Sequence, residues 1–174
     1  MTEPSTPLPS IAVLGGTGKE GKGLAYRWAK AGHRVLIGSR SPEKAQATTA
    51  EIYALLKSRS YQVEGIGNVE AARQADIVVL TVPYSAHQAT LETVKEAVQG
   101  KILVDVTVPL VPPKVSKVQM PPAGSAAQEA RQIVGDGVEV AAAFQNISYE
   151  HLLNDGGEVE CDVLVVGTSK AVRA

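Results

Sequence analysis

"IAVLGGTGKEGKGLA", residues Ile11–Ala25, passes from four apolar residues through a cluster of glycines into a segment of helical composition. Gly16, Gly18 and Gly21 satisfy the pattern G-x-G-x-x-G. Alone the pattern is weak. It gains weight from a strand before it, a helix after it and a βαβ unit of about 30 residues around it, and the sequence offers all three. In that setting Gly16 allows a tight turn, Gly18 lets the backbone approach a pyrophosphate, and Gly21 lets the helix pack closely on the strand. The amides of Thr17, Gly18, Lys19 and Glu20 would then face phosphate oxygens at the positive end of a helix. The competing reading is a glycine-rich bend with no ligand.

Outward from this turn, apolar runs rich in Val, Ile and Leu recur at Ile11–Gly15, Arg34–Ser39, Asp76–Val82, Lys101–Val106, Val138–Phe144 and Asp162–Gly167, with a weaker, edge-like candidate at Tyr61–Gly67. Continuous apolar strands belong to a sheet covered on both faces. Ala-rich helical segments separate them at Glu20–Ala31, Pro42–Ser58, Ser85–Val98 and Gly124–Val134. Ser41 followed by Pro42 is a helix-start signal, and Ser85 offers a second cap. The alternation predicts an α/β fold, a doubly wound, mostly parallel sheet of the Rossmann dinucleotide-binding type with right-handed crossovers. The proline-rich stretch Thr107–Ala123 leaves the carboxyl end of a central strand, where open α/β sheets place their ligands.

Composition bounds the function. The chain has 174 residues, 44% hydrophobic and 20% charged, and 17 basic against 18 acidic side chains give a net charge of -1. That balance carries no nucleic-acid or anionic-membrane footprint, and no apolar run approaches the roughly 20 residues of a membrane span. Cys161, the single cysteine, reads as a small buried hydrophobe; with no secretory signal at the N-terminus, a cytoplasmic setting is expected. Residues 1–9 read as a disordered Pro/Ser/Thr-rich tail and residues 10–174 as one nucleotide-binding domain.

The segment after the second strand bears on which dinucleotide is held. NAD-selective sites place Asp or Glu there, about 20 residues beyond the glycine turn, to bond the ribose 2′-hydroxyl. Here the strand ends in "IGSR", with Ser39 and Arg40 in the place of the acid. A guanidinium pairs a 2′-phosphate through its planar fork, a serine hydroxyl adds a hydrogen bond, and Lys44 lies one helical turn beyond Arg40. The expected nucleotide is NADP(H). The plainer alternative leaves Arg40 and Lys44 as solvated surface charges.

"LGGTGKEGKGLA", "IGSRSPEKA" and "DIVVLTVPY" together resemble the F420-dependent NADP reductases, and the resemblance runs from Ile11 to about Ala171. It implies hydride transfer between NADP(H) and coenzyme F420, an 8-hydroxy-5-deazaflavin. It also implies that Gly16, Thr17, Gly18, Lys19, Glu20, Gly21, Ser39, Arg40 and Lys44 hold NADP, with Val82, Pro83 and Tyr84 toward the nicotinamide. The deazaflavin side matches "AFQNIS", that is Phe144, Gln145, Asn146 and Ser148, with Gln145 standing where family members carry histidine. The family continues into a C-terminal helical region that helps form the pocket and a homodimer, so the expectation is a domain lacking that region. The N-terminal architecture is also similar to the cytoplasmic domain of six-transmembrane metalloreductases. A related reductase of a flavin or another small acceptor, and a non-catalytic NADP-binding domain, are the alternatives.

Hydride transfer between two such cofactors needs no side-chain nucleophile, and no catalytic side chain is assigned. His33, His87 and His151 lack metal-ligand spacing, so no metal is expected. His87 follows "PYSA" and is a candidate substrate contact. Asp105 is either a polar anchor near the nicotinamide ribose or a hydrogen-bond partner of the proline-rich loop. Lys114 and Lys117 are candidates for an acidic substrate tail.

Overall fold

The computed structural model describes residues 7–111, 113, 117–154, 157–167 and 169–173. Seven strands form one sheet: β1 (Ile11–Leu14), β2 (Val35–Ser39), β3 (Val63–Gly67), β4 (Ile77–Leu80), β5 (Ile102–Asp105), β6 (Glu139–Ala142) and β7 (Val166–Gly167). Their spatial order is β3-β2-β1-β4-β5-β6-β7, parallel throughout except for the antiparallel β6–β7 pair. The helices are α1 (Lys19–Lys30), α2 (Pro42–Leu56), α3 (Asn68–Gln74), α4 (Tyr84–Val94), α5 (Ala126–Val134), α6 (Tyr149–Leu153) and α7 (Lys170–Arg173).

Side chains alternate across each strand, so β1 feeds two separate cores. Ala12 and Leu14 point into one, built with Ala71 of α3, Leu91 of α4 and Ala130 of α5. Ile11 and Val13 point into the other, with Leu24 and Ala29 of α1, Ile52 of α2 and Leu152 of α6. Both faces are covered, which is why the strands read as unbroken apolar runs rather than alternating ones. The strand order reverses between β1 and β4, and this opens a crevice at the carboxyl ends of the strands.

Several local expectations change in the folded chain. The segment Tyr61–Gly67 supplies a true edge strand, β3. The short helices α3 and α6, of fewer than two turns each, lie outside the predicted helical segments because so few residues leave little periodic signal. Ser85 lies inside α4 rather than capping it; Pro83 occupies the N-cap position and no side chain caps there. Ser41 does cap α2, its hydroxyl accepting the Lys44 N–H. Of the apolar run Asp162–Gly167 only Val166 and Gly167 pair, while Leu164, Val165 and Val166 are exposed. Cys161, expected to be buried, is exposed for the same reason: the residues before β7 never enter the sheet. No helix among the described residues is long and apolar enough to cross a membrane. The proposed tail lies partly outside the described residues; Pro7, Leu8 and Pro9 are exposed.

The fit of α2 onto β3 depends on one small residue. A Cβ on Gly65 would lie 2.4 Å from the carbonyl carbon and oxygen of Ala45 and 2.5 Å from the Gln46 nitrogen, all α2 backbone. Neither element can yield by rotating a side chain. Gly65→Ala is expected to cost about 2–3 kcal/mol and to lower Tm by about 5–10 °C in a thermal melt. An unchanged Tm would mean that α2 rides more loosely on β3 than described.

Candidate functional site

The turn between β1 and α1 runs beneath the crevice. Its positive φ falls on Gly15 (75°) rather than on Gly16, so Gly15 makes the tight turn. Gly16 is required for a different reason: a Cβ there would lie 2.8 Å from the Val13 carbonyl oxygen. A Cβ on Gly21 would lie 2.5 Å from Thr81 Oγ1 and 2.8 Å from Gly16 Cα. Thr81 Oγ1 itself donates to the Leu14 carbonyl at 2.9 Å, fastening the end of β4 to the end of β1 directly under α1.

Gly18 N–H is engaged by the Gly15 carbonyl at 3.0 Å, and the first α-helical bond is Lys22 N–H to Gly18 O at 2.9 Å. The amides of Lys19, Glu20 and Gly21 therefore precede the helical ladder and form the donor end of the helix. This narrows the amides expected to face phosphate, since the one on Gly18 closes the turn.

A cavity of about 400 Å³ opens over this turn. Gly15, Thr17 and Gly18 form its floor, Ser39, Arg40 and Lys44 one end, and Thr81, Val82 and Pro83 the other. Thus Thr17, Gly18, Ser39, Arg40, Lys44, Val82 and Pro83, picked from sequence alone, converge on one space. Gly16 and Gly21 shape the turn from below. Lys19 and Tyr84 are turned away from this cavity. Lys19 donates to the Tyr149 hydroxyl at 3.2 Å and lies over that ring, and Tyr84 donates to Glu129 at 2.8 Å. The Glu20 carboxyl has one buried oxygen without a hydrogen-bond partner, and burial pushes its pKa up.

The Arg40 end is electrostatically open. Among the described residues neither Arg40 nor Lys44 pairs with a carboxylate. Ser39 Oγ accepts the Ser41 N–H at 3.2 Å, which leaves its own proton available as a donor. Asn68, at the start of α3, also lines the cavity; it is buried, and its Oδ1 has no partner. Sequence reasoning missed Asn68. Its one signal is distant in sequence: Gly38 in "IGSR" must lack a Cβ, because one there would lie only 2.8 Å from Asn68 Oδ1.

The residues matched to a second cofactor do not share this cavity. Phe144, at φ 70°, meets Trp28 edge-on with centroids 5.7 Å apart. Gln145 Nε2 donates to the Asp105 carbonyl at 2.8 Å, holding the segment after β6 against the end of β5. Asn146 and Ser148 line a separate cavity with Arg27 and His151, and Ser148 caps α6. His87 is fully buried and touches Asp105 and Glu129, not the cavity. Asp105 Oδ1 accepts the Thr107 N–H at 2.9 Å, a tie to the loop that follows β5. Lys117 is exposed; Lys114 lies outside the described residues. No cluster of His, Cys, Asp and Glu suited to a metal ion occurs among the described residues.

Residues 10–109 match the family model for coenzyme F420-dependent NADP oxidoreductases. An F420-dependent NADP reductase of Methanothermobacter marburgensis is 45% identical over 159 residues, spanning 89% of this chain and 71% of that protein. The reductase of the same name from Methanocaldococcus jannaschii is 37% identical over 168 residues, spanning 94% and 74%. Among solved structures, a candidate F420-dependent NADP-reductase from Arthrobacter sp. FB24 superposes with a TM-score of 0.76 at 24% identity, over 95% of this chain and 76% of that one, and so shares the fold.

Proposed function

The chain belongs to the coenzyme F420-dependent NADP oxidoreductase family, and from that premise we propose that it transfers a hydride between NADP(H) and coenzyme F420 across the crevice between β1 and β4. The observation that carries the nucleotide half is the joining, in one cavity, of a glycine turn to Arg40 and Lys44, two cations that pair with no carboxylate among the described residues. The acceptor half rests on the relatives, which are F420-dependent NADP reductases.

The cavity fits a phosphorylated dinucleotide on its own chemistry. A Cβ on Gly15 in its floor would lie 2.6 Å from Val82 Cγ1 in its wall, and its far end offers a guanidinium, an ammonium and a serine hydroxyl to a dianionic phosphate. NADPH supplies the hydride when bound. The chain's task is to bind, orient and exclude water. In this reading the amides at the start of α1 and the Thr17 hydroxyl hold the pyrophosphate. Ser39, Arg40 and Lys44 hold the 2′-phosphate, and the unsatisfied Asn68 amide oxygen accepts a donor from the adenosine half. Val82 and Pro83, at the carboxyl end of β4, wall the nicotinamide end. Held in this way, the two rings would meet without the entropic cost of a bimolecular encounter and away from water.

The acceptor would lie against the face beside Phe144, Gln145, Asn146 and Ser148. Support comes from the Gln145–Asp105 bond, which brings this segment to the carboxyl end of β5, two strands from the glycine turn. Residues 10–174 act in this reading as one nucleotide-binding domain, and a homodimer of the whole protein belongs to the same proposal. The test is direct. Purified protein mixed with NADPH and oxidised F420 is expected to bleach the deazaflavin absorption. Reduction of a flavin but not of F420 would replace the acceptor, and binding of NADPH without turnover of either would leave a nucleotide-binding domain only.

A further inference from the structure

The wall that α4 gives the cavity is pinned from behind by a charged cluster. Pro83, Ala86 and Thr90 face the cavity, while His87, fully buried, faces the other way. Its Nε2 lies 2.8 Å from Asp105 Oδ2 on β5, and its Nδ1 lies 3.3 Å from Glu129 Oε1 on α5. Each carboxylate is held in turn. Asp105 Oδ1 accepts the Thr107 N–H at 2.9 Å, and Glu129 Oε2 accepts the Tyr84 hydroxyl at 2.8 Å. The Tyr84 ring lies 5.8 Å from the His87 ring. Among the described residues, no other ionisable side chain lies within hydrogen-bond or ion-pair distance of the imidazole.

A neutral imidazole donates from one nitrogen and presents a lone pair at the other. Set between two carboxylates, that lone pair would face a second set of lone pairs inside the protein. The doubly protonated ring donates to both, and two charge-assisted bonds then join α4 to β5 and α5 together.

We propose that His87, as an imidazolium bridging Asp105 and Glu129, is a positioning residue that clamps α4 and thereby fixes the cofactor-facing wall of Pro83, Ala86 and Thr90. The proposal rests on the assignment of that cavity to NADP(H). His87 touches neither cofactor nor reacting atom; it acts through the helix that bears it. Burial alone would drive the ring neutral, but the hydrogen bonds and charges of Asp105 and Glu129 outweigh it and raise the His87 pKa. A raised value means that the clamp is fully present below the ordinary histidine pKa and is lost as pH rises through the folded value.

The test pairs the ring's charge with cofactor affinity. In the wild-type chain the His87 ring ¹⁵N shifts are expected to be those of an imidazolium at pH 7. NADPH dissociation constants, measured from pH 7 to the alkaline side of the ring's titration, should rise about fivefold in step with it. His87→Gln is expected to bind NADPH about fivefold more weakly at pH 7 and to lose the step. Glu129→Gln, which keeps the histidine and the shape, should move the ring titration to lower pH and the affinity step with it. A neutral ring at pH 7, or equal affinities and pH profiles in wild type and both variants, would overturn the clamp. Failure of the wild type to bind NADPH at all would instead overturn the assignment of the cavity, and the ring shifts would still read the charge of His87.

Discussion

Arg40→Glu is expected to weaken NADPH binding by about 100-fold while changing NADH binding only a few-fold. The substitution removes a guanidinium that no carboxylate of the described structure occupies and puts a carboxylate at the end of β2. Charge-assisted hydrogen bonds contribute about 1.5–3 kcal/mol, and about 1.4 kcal/mol is tenfold in affinity. Repulsion between the new carboxylate and a 2′-phosphate adds to the loss, whereas NADH, with a 2′-hydroxyl, offers that carboxylate a donor. Arg40 is exposed, so the fold should tolerate the change and Tm should stay near wild type. Parallel titrations with the two nucleotides decide it. Equal losses for both would remove Arg40 from the 2′-phosphate site and return it to the class of solvated surface charges.

Gly21→Ala should have the second large effect, on both binding and stability. The added methyl would stand 2.5 Å from Thr81 Oγ1 and 2.8 Å from Gly16 Cα. Thr81 cannot turn aside without losing its bond to the Leu14 carbonyl, and Gly16 is main chain on a turn already closed by four backbone hydrogen bonds to the Val13, Gly15 and Gly38 carbonyls. The first turn of α1 must therefore lift off β4. Overpacking of this kind costs about 1–3 kcal/mol, and the lift moves the amide donors of Lys19 and Glu20 away from the crevice, so NADPH affinity should fall by more than tenfold. Chemical denaturation together with NADPH titration would show both losses. A stability loss without any loss of affinity would mean that the helix start does not hold the phosphates.

The contrast between these two residues and Asn68 shows what the sequence could convey. The fold was legible because the central strands β1, β2 and β4 are buried on both faces, so a run such as "DIVVLTV" has no alternation to confuse it with a half-exposed strand. The phosphate turn and the Ser39–Arg40–Lys44 cluster were legible because both lie next to a strand end in sequence as well as in space. Asn68 and the His87–Asp105–Glu129 cluster were not. Their partners come from separate strands and helices, 18 and 42 residues apart for His87, and no local pattern marks them. The run Asp162–Gly167 shows the opposite failure. Its composition is that of a buried strand, yet only its last two residues pair with β6 and Leu164 stays exposed, because pairing depends on a neighbour that composition does not reveal.

Direct passage of hydride from NADPH to F420 can be read by isotope transfer. NADPH deuterated at the transferring position of its nicotinamide is incubated with the protein and oxidised F420, and the reduced deazaflavin is weighed by mass spectrometry. One deuterium is expected in the product, in a stereospecific position, even in ordinary water. Reduced F420 without deuterium, or no reduction of F420 at all, would contradict direct transfer.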